Sequence, residues 1–174
     1  MAIIRLNNQS ISSVTALPSG VGGKVLQVVS VNGRNSDFST TSTSLVEVTD
    51  SGITITPTST SSRIMVTWQI STHILGSTGS PSHALHAYRG TTDLGNIHAS
   101  RSYAGSGTHY YDKTTHCSII DHPNSTSAIT YKLYAKTVSG GTWNAHRTWI
   151  SDANGEPRMR IVAMEIESST QWSS

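Results

Sequence analysis

The sequence predicts an all-β fold, a sandwich or barrel of short antiparallel strands. Three observations lead there. Apolar and polar residues alternate with period two from Lys24 onward, as half-buried strands require. Turn clusters ("TPTSTSS", "GSTGSPS", "RGTTDLG", "DHPNSTS", "SGG" and "SDANGEP") break the alternation at near-regular spacing. Ser and Thr number 29 and 23 among 174 residues, while charged residues make up only 13%. The branched Cβ of Thr suits a pleated surface, and Ser suits turns. This composition fits neither a helical bundle nor a disordered chain, and no window forms a long amphipathic helix.

The elements follow in order. The first dozen residues are too polar and too few to fold alone and Thr15–Gly23 reads as a turn-rich tether, so residues 1–23 read as an arm ahead of a domain at 24–174. Strands are expected at Leu26–Val31, Ser44–Val48 and Ile53–Thr56. In "RIMVTWQIS" Ile64, Val66, Trp68 and Ile70 share one face, with Met65, Thr67, Gln69 and Ser71 opposite. Further strands are expected at Ala84–Tyr88, Asn96–Arg101 and Thr115–Ile120. In "ITYKLYAKT" Ile129, Tyr131, Leu133 and Ala135 face one way, and Thr130, Lys132, Tyr134 and Lys136 the other. Thr142–Ile150 follows. The closing strand, Arg158–Glu167, differs from the rest. Val162, Met164 and Ile166 make one face apolar, and Ile161 and Ala163 do the same for the other. A strand apolar on both faces is covered on both sides. One cover is the opposite sheet; the other is a second subunit, the N-terminal segment or the chain's own loops.

Several segments resemble the virion structural proteins, often called tail-fibre proteins, of tailed bacteriophages. They are "LNNQSISSVTALPSGVGGKVLQVVS", "ITPTSTSSRIMV", "AYRGTTDLG", "DHPNSTSAITYKLYAKTVSGGT" and the closing "RIVAMEI". Their order spans nearly the whole chain, although "SYAGSGTHYYDKTTHC" shows no family motif. The resemblance implies an antiparallel jelly-roll sandwich, similar to the C1q and tumour-necrosis-factor heads, with a short N-terminal arm. It also implies a homotrimer mounted on a virus particle, on the capsid surface or the tail. The trimer interface is then expected at Ile161, Val162, Met164 and Ile166. The arm is expected to anchor to another virion protein through Ile3, Ile4, Leu6, Ile11, Val14 and Leu17, adding a strand to an exposed edge. The alternative is that it wraps its own trimer. Gly20, Gly22 and Gly23 read as its hinge. The sequence holds no long shaft of repeats, which favours a compact head fibre, decoration protein or tail-tip knob.

The expected function is therefore non-enzymatic: a virion structural protein displaying its head on the particle. The alternative is a receptor-binding module for host-surface glycan. For that role, Tyr103, Tyr110 and Tyr111 are expected in the loop "SYAGSGTHYYDKTTH", rich in Gly and Ser. Alternation also puts Trp143, Arg147 and Trp149 on one face, suited either to sugar rings or to core packing.

Other chemistries find little footing. The net charge of +2 comes from scattered residues, with no basic run to track phosphates, so no nucleic-acid partner is expected. No apolar run approaches the roughly 18 residues of a membrane span, and the start lacks a signal peptide's apolar region. Cys117 is the single cysteine, which excludes an internal disulfide; it reads as a small buried strand residue. The eight histidines are His73, His83, His86, His98, His109, His116, His122 and His146. His83 and His86 are three apart, hence on opposite strand faces, and neither a metal nor a cofactor is expected. A metal ring on the trimer axis stays open as an alternative. No Gly-x-Ser-x-Gly is present, and Glu165 and Glu167 read as solvated or interfacial carboxylates rather than a catalytic pair.

Overall fold

Alternation becomes strands along most of the chain. The computed structural model describes residues 25–34, 37–78, 80–103, 106–146 and 159–167. Eleven strands occur among them: β1 (Val25–Arg34), β2 (Phe38–Thr40), β3 (Val46–Glu47), β4 (Ile53–Ile55), β5 (Arg63–Thr78), β6 (Ser82–Arg89), β7 (Thr92–Arg101), β8 (Ser106–Asp121), β9 (Ile129–Ser139), β10 (Thr142–Ala145) and β11 (Met159–Ile166). They form two sheets with antiparallel pairing.

The first sheet runs β1-β11-β5, with β8 on the other edge of β5. β10 joins the same edge of β5 beyond β11 and carries β2 outside it. The second sheet runs β3-β9-β6-β7, and β4 also pairs β9. After β4 the chain crosses to β5, returns to β6 and β7, crosses to β8, returns to β9, and ends in β10 and β11. Each half thus has four principal strands, β1-β11-β5-β8 facing β4-β9-β6-β7, wound together as an antiparallel jelly roll. The expected fold class is therefore what the chain adopts.

The inner faces match the sequence pattern. Ile64, Val66, Trp68 and Ile70 of β5 are buried against Tyr131, Leu133 and Ala135 of β9, Leu85 and Ala87 of β6, and Ile161 and Ala163 of β11. The Trp68 indole N–H donates to the Ser51 carbonyl at 3.0 Å, so its polar atom is satisfied in the core. The Tyr131 hydroxyl donates to Asp121, which also accepts two bonds from Arg89, closing one end of the sandwich between β6, β8 and β9. Gly90 takes φ +58° in the two-residue turn between β6 and β7, so the turn in "RGTTDLG" is Gly90–Thr91 and β7 already begins at Thr92. Gly141 takes φ +84°, where a Cβ would stand 2.6 Å from the Leu75 carbonyl oxygen.

Several expectations need correction. "SYAGSGTHYYDKTTH" is not one loop, because β8 begins at Ser106 and runs 16 residues alongside an equally long β5. Its Ser, Gly and Thr content resembles a loop, but long pairing with β5 overrides that preference. β10 stops at Ala145, and His146 takes φ +63°. β2 carried too short a pattern to be read. Glu165 is fully buried, not solvated.

Candidate functional site

The two outer faces differ in chemistry. Register fixes which residues share a row on the first sheet. Val28 pairs Met164, Met164 pairs Met65, and Met65 pairs Ile120, so one apolar row crosses β1, β11, β5 and β8. The next row is Ser30, Val162, Thr67 and Ser118. Ile166 flanks the first row on the other side, opposite Val25. Val25, Leu26, Val28 and Ile120 are among the large apolar side chains the structure leaves exposed, at 54%, 40%, 56% and 54%. Met65, Val162, Met164 and Ile166 are half-buried. Single exposed apolar residues are ordinary, but a contiguous cluster marks a contact surface.

The expected trimer set therefore splits. Val162, Met164 and Ile166 lie on this outer face. Ile161 does not: it is fully buried in its own chain, because β11 turns alternate residues inward. Between them Glu165 anchors the sheet's edge. Its carboxylate accepts from the Gln27 amide at 2.6 Å, and from the Thr58 backbone N–H and hydroxyl at 2.7 and 2.8 Å. Burial alone would raise this carboxyl, but the donors outweigh it and hold it at about 2.

The outer face of the second sheet is polar and aromatic. Glu47, Tyr134, His86 and Asn96 form one cross-strand row over β3, β9, β6 and β7, and Lys132, Tyr88 and Asp93 the next. Alternation in "ITYKLYAKT" already turned Tyr134 outward. Its pairing with Tyr88 needed the β6–β9 register, which no local pattern carries.

The other expected contacts scatter. Tyr103 is 90% exposed just after β7. Tyr110 and Tyr111 stand on β8 rather than a loop, and Tyr110 packs near His73, whose ring nitrogen meets Asp112 at 2.6 Å. Trp143 is unavailable to a sugar: it is fully buried, edge-on to Phe38. Arg147 and Trp149 lie outside the described residues. So do the arm positions Ile3, Ile4, Leu6, Ile11, Val14 and Leu17 and the hinge Gly20, Gly22 and Gly23.

At one end of the sandwich, His83 sits buried against the rings of Trp143 at 5.7 Å and His98 at 5.8 Å. Neither of its ring nitrogens has a hydrogen-bond partner. Burial, then the nearby His98 and Lys113 charges, lower its pKa to about 4. His86 faces the opposite way and meets Asp93 at 3.0 Å, as the odd spacing required. Among the described residues, no three His, Cys, Asp or Glu side chains gather as a metal site.

These features define a jelly-roll sandwich with one apolar and one polar outer face. No protein-family model matches the chain, and no curated protein matches it. Solved structures that the chain matches include infectious bursal disease virus, Gt strain, at 12% identity and TM-score 0.37, covering 82% of this chain and 38% of that one. The VP2 subviral particle of the same virus matches at 12% identity and TM-score 0.36, covering 80% and 39%. Eiger TNF from S. frugiperda matches at 9% identity and TM-score 0.31, covering 84% and 98%. The chain thus spans about two fifths of the viral proteins' length. The fold assignment rests on the strand order described above.

Proposed function

We propose that the chain is a non-enzymatic structural component of a bacteriophage virion, a homotrimer displaying its jelly-roll head on the capsid surface or tail. The observation that carries this reading is the apolar outer face of the first sheet. It joins Val162, Met164 and Ile166 to exposed Val28 and Ile120, and a second copy of the chain would remove them from water. The resemblance of the sequence segments to phage virion proteins supplies the setting. Residues 1–23 serve as the arm that anchors the head to another virion protein. Three arms bound together gain avidity of roughly 10²–10⁴ over one, provided all three reach their sites.

Adding purified protein back to particles that lack it tests the reading. The full chain is expected to bind, and a chain starting at Lys24 is expected to stay folded but fail. Normal binding by the shortened chain would reject the arm. A second reading, a receptor-binding module for host glycan, draws on the polar, aromatic face of the second sheet.

A further inference from the structure

The outer face of the second sheet carries two tyrosines that the sequence did not single out. Tyr88 on β6 and Tyr134 on β9 have ring centroids 4.0 Å apart, with planes tilted 31°. Both are half-buried, and packing at this distance covers one face of each ring, so what the pair adds to an otherwise polar sheet is ring edge and outer ring face. The Tyr134 hydroxyl is tied down. It donates to Glu47 at 3.1 Å, and Tyr88 stands opposite Asp93 in the strand register. Each carboxylate has a basic neighbour as well: Lys132 meets Glu47 at 2.8 Å, and His86 meets Asp93 at 3.0 Å.

We propose that this Tyr88–Tyr134 platform, bordered by Glu47 and Asp93, is a binding site for a neutral, hydroxyl-rich sugar ring. Three physical points select that ligand. The rings stand on two paired strands and pack on one another, and Tyr134 is also held at its hydroxyl, so little freedom is lost on binding. Aromatic surface favours the C–H face of a pyranose and gives no reason to bind a strongly hydrated ion. Lys132 meets Glu47 and the His86 ring meets Asp93, so neither carboxylate stands bare to draw in a cation. Their oxygens keep acceptor sites for sugar hydroxyls, and Lys132 keeps donor protons. The inference stands on the second sheet alone, and it holds or fails whether or not the first sheet assembles.

Amide NMR spectra of the full chain, titrated with a panel of sugars at millimolar concentration, test it. The panel comprises methyl glycosides of glucose, galactose, mannose and N-acetylglucosamine, and oligosaccharides released from bacterial O-polysaccharide. Saturable shifts are expected around Tyr88, Asp93, Lys132 and Tyr134 with at least one member. Tyr134→Ala is expected to weaken that binding about tenfold. Glu47→Gln, which keeps both rings, is expected to weaken it less, with the thermal midpoint little changed. No shifts at these positions with any member would overturn the proposal. So would shifts that stay the same in Glu47→Gln and Tyr134→Ala proteins that still fold.

Discussion

His83 makes the stability of the sandwich depend on pH in a calculable way. Its imidazole is buried, has no hydrogen-bond partner, and faces His98 on β7, Lys113 on β8 and Trp143 on β10. Folding lowers its pKa from 6.5 to about 4, chiefly by burial. Below pH 6.5 the unfolded chain takes up a proton that the folded chain refuses. Stability is therefore fully present above 6.5 and is lost as the pH falls toward 4. At about 1.4 kcal/mol per pH unit, this one group removes about 2–3 kcal/mol by pH 4.5. In a chain of this size each kcal/mol moves the midpoint by about 2–4 °C. Replacing the ring with His83→Phe, or with the smaller His83→Leu, removes the titrating group. Urea unfolding between pH 7.5 and 4.5 then compares the slopes. The wild type is expected to lose about 2–3 kcal/mol more than either variant over that range. Parallel pH profiles would refute the reasoning.

Other expectations follow from the same geometry. Ile161→Glu places an unpaired charge in the sandwich core and is expected to cost several kcal/mol, read as loss of the cooperative unfolding transition. Cys117 is buried beside Trp68, and burial pushes its thiol up to about 12; a thiol reagent at pH 8 is expected to leave it unmodified until denaturant is added. Gly141→Ala is expected to lower stability by about 1–2 kcal/mol from its positive φ alone, and further through the close Leu75 carbonyl, measurable as a lower thermal midpoint.

Alternation around Trp68 and Tyr131 made the all-β class and the inner faces legible, because side-chain period follows directly from the strand backbone. The two faces of the closing strand were also legible: Val162, Met164 and Ile166 do lie opposite Ile161 and Ala163. What the pattern hid was partnership. Assigning Ile161 to the trimer overlooked that the inward face of β11 meets its own second sheet. Of β8 only Thr115–Ile120 was legible; its first part was hidden because its pairing with β5 is long-range, and Ser, Gly and Thr locally favour turns. Alternation left Trp143 open to sugar contact or core packing, and the structure takes packing: the indole fills the space beside Phe38 and His83. Tyr88 and Tyr134 are 46 residues apart in the numbering and meet only through sheet register.

The central claim is that the apolar outer face of the first sheet joins copies of this chain. Light scattering on the purified protein at micromolar concentration measures it most directly, beside a variant carrying Val28→Glu and Ile120→Glu. Both side chains are exposed in the single chain, so the substitutions spare the core. The wild type is expected to show three chain masses, and the variant one chain mass with the fold retained. A wild type of one chain mass, or a variant that still forms trimers, would contradict the account.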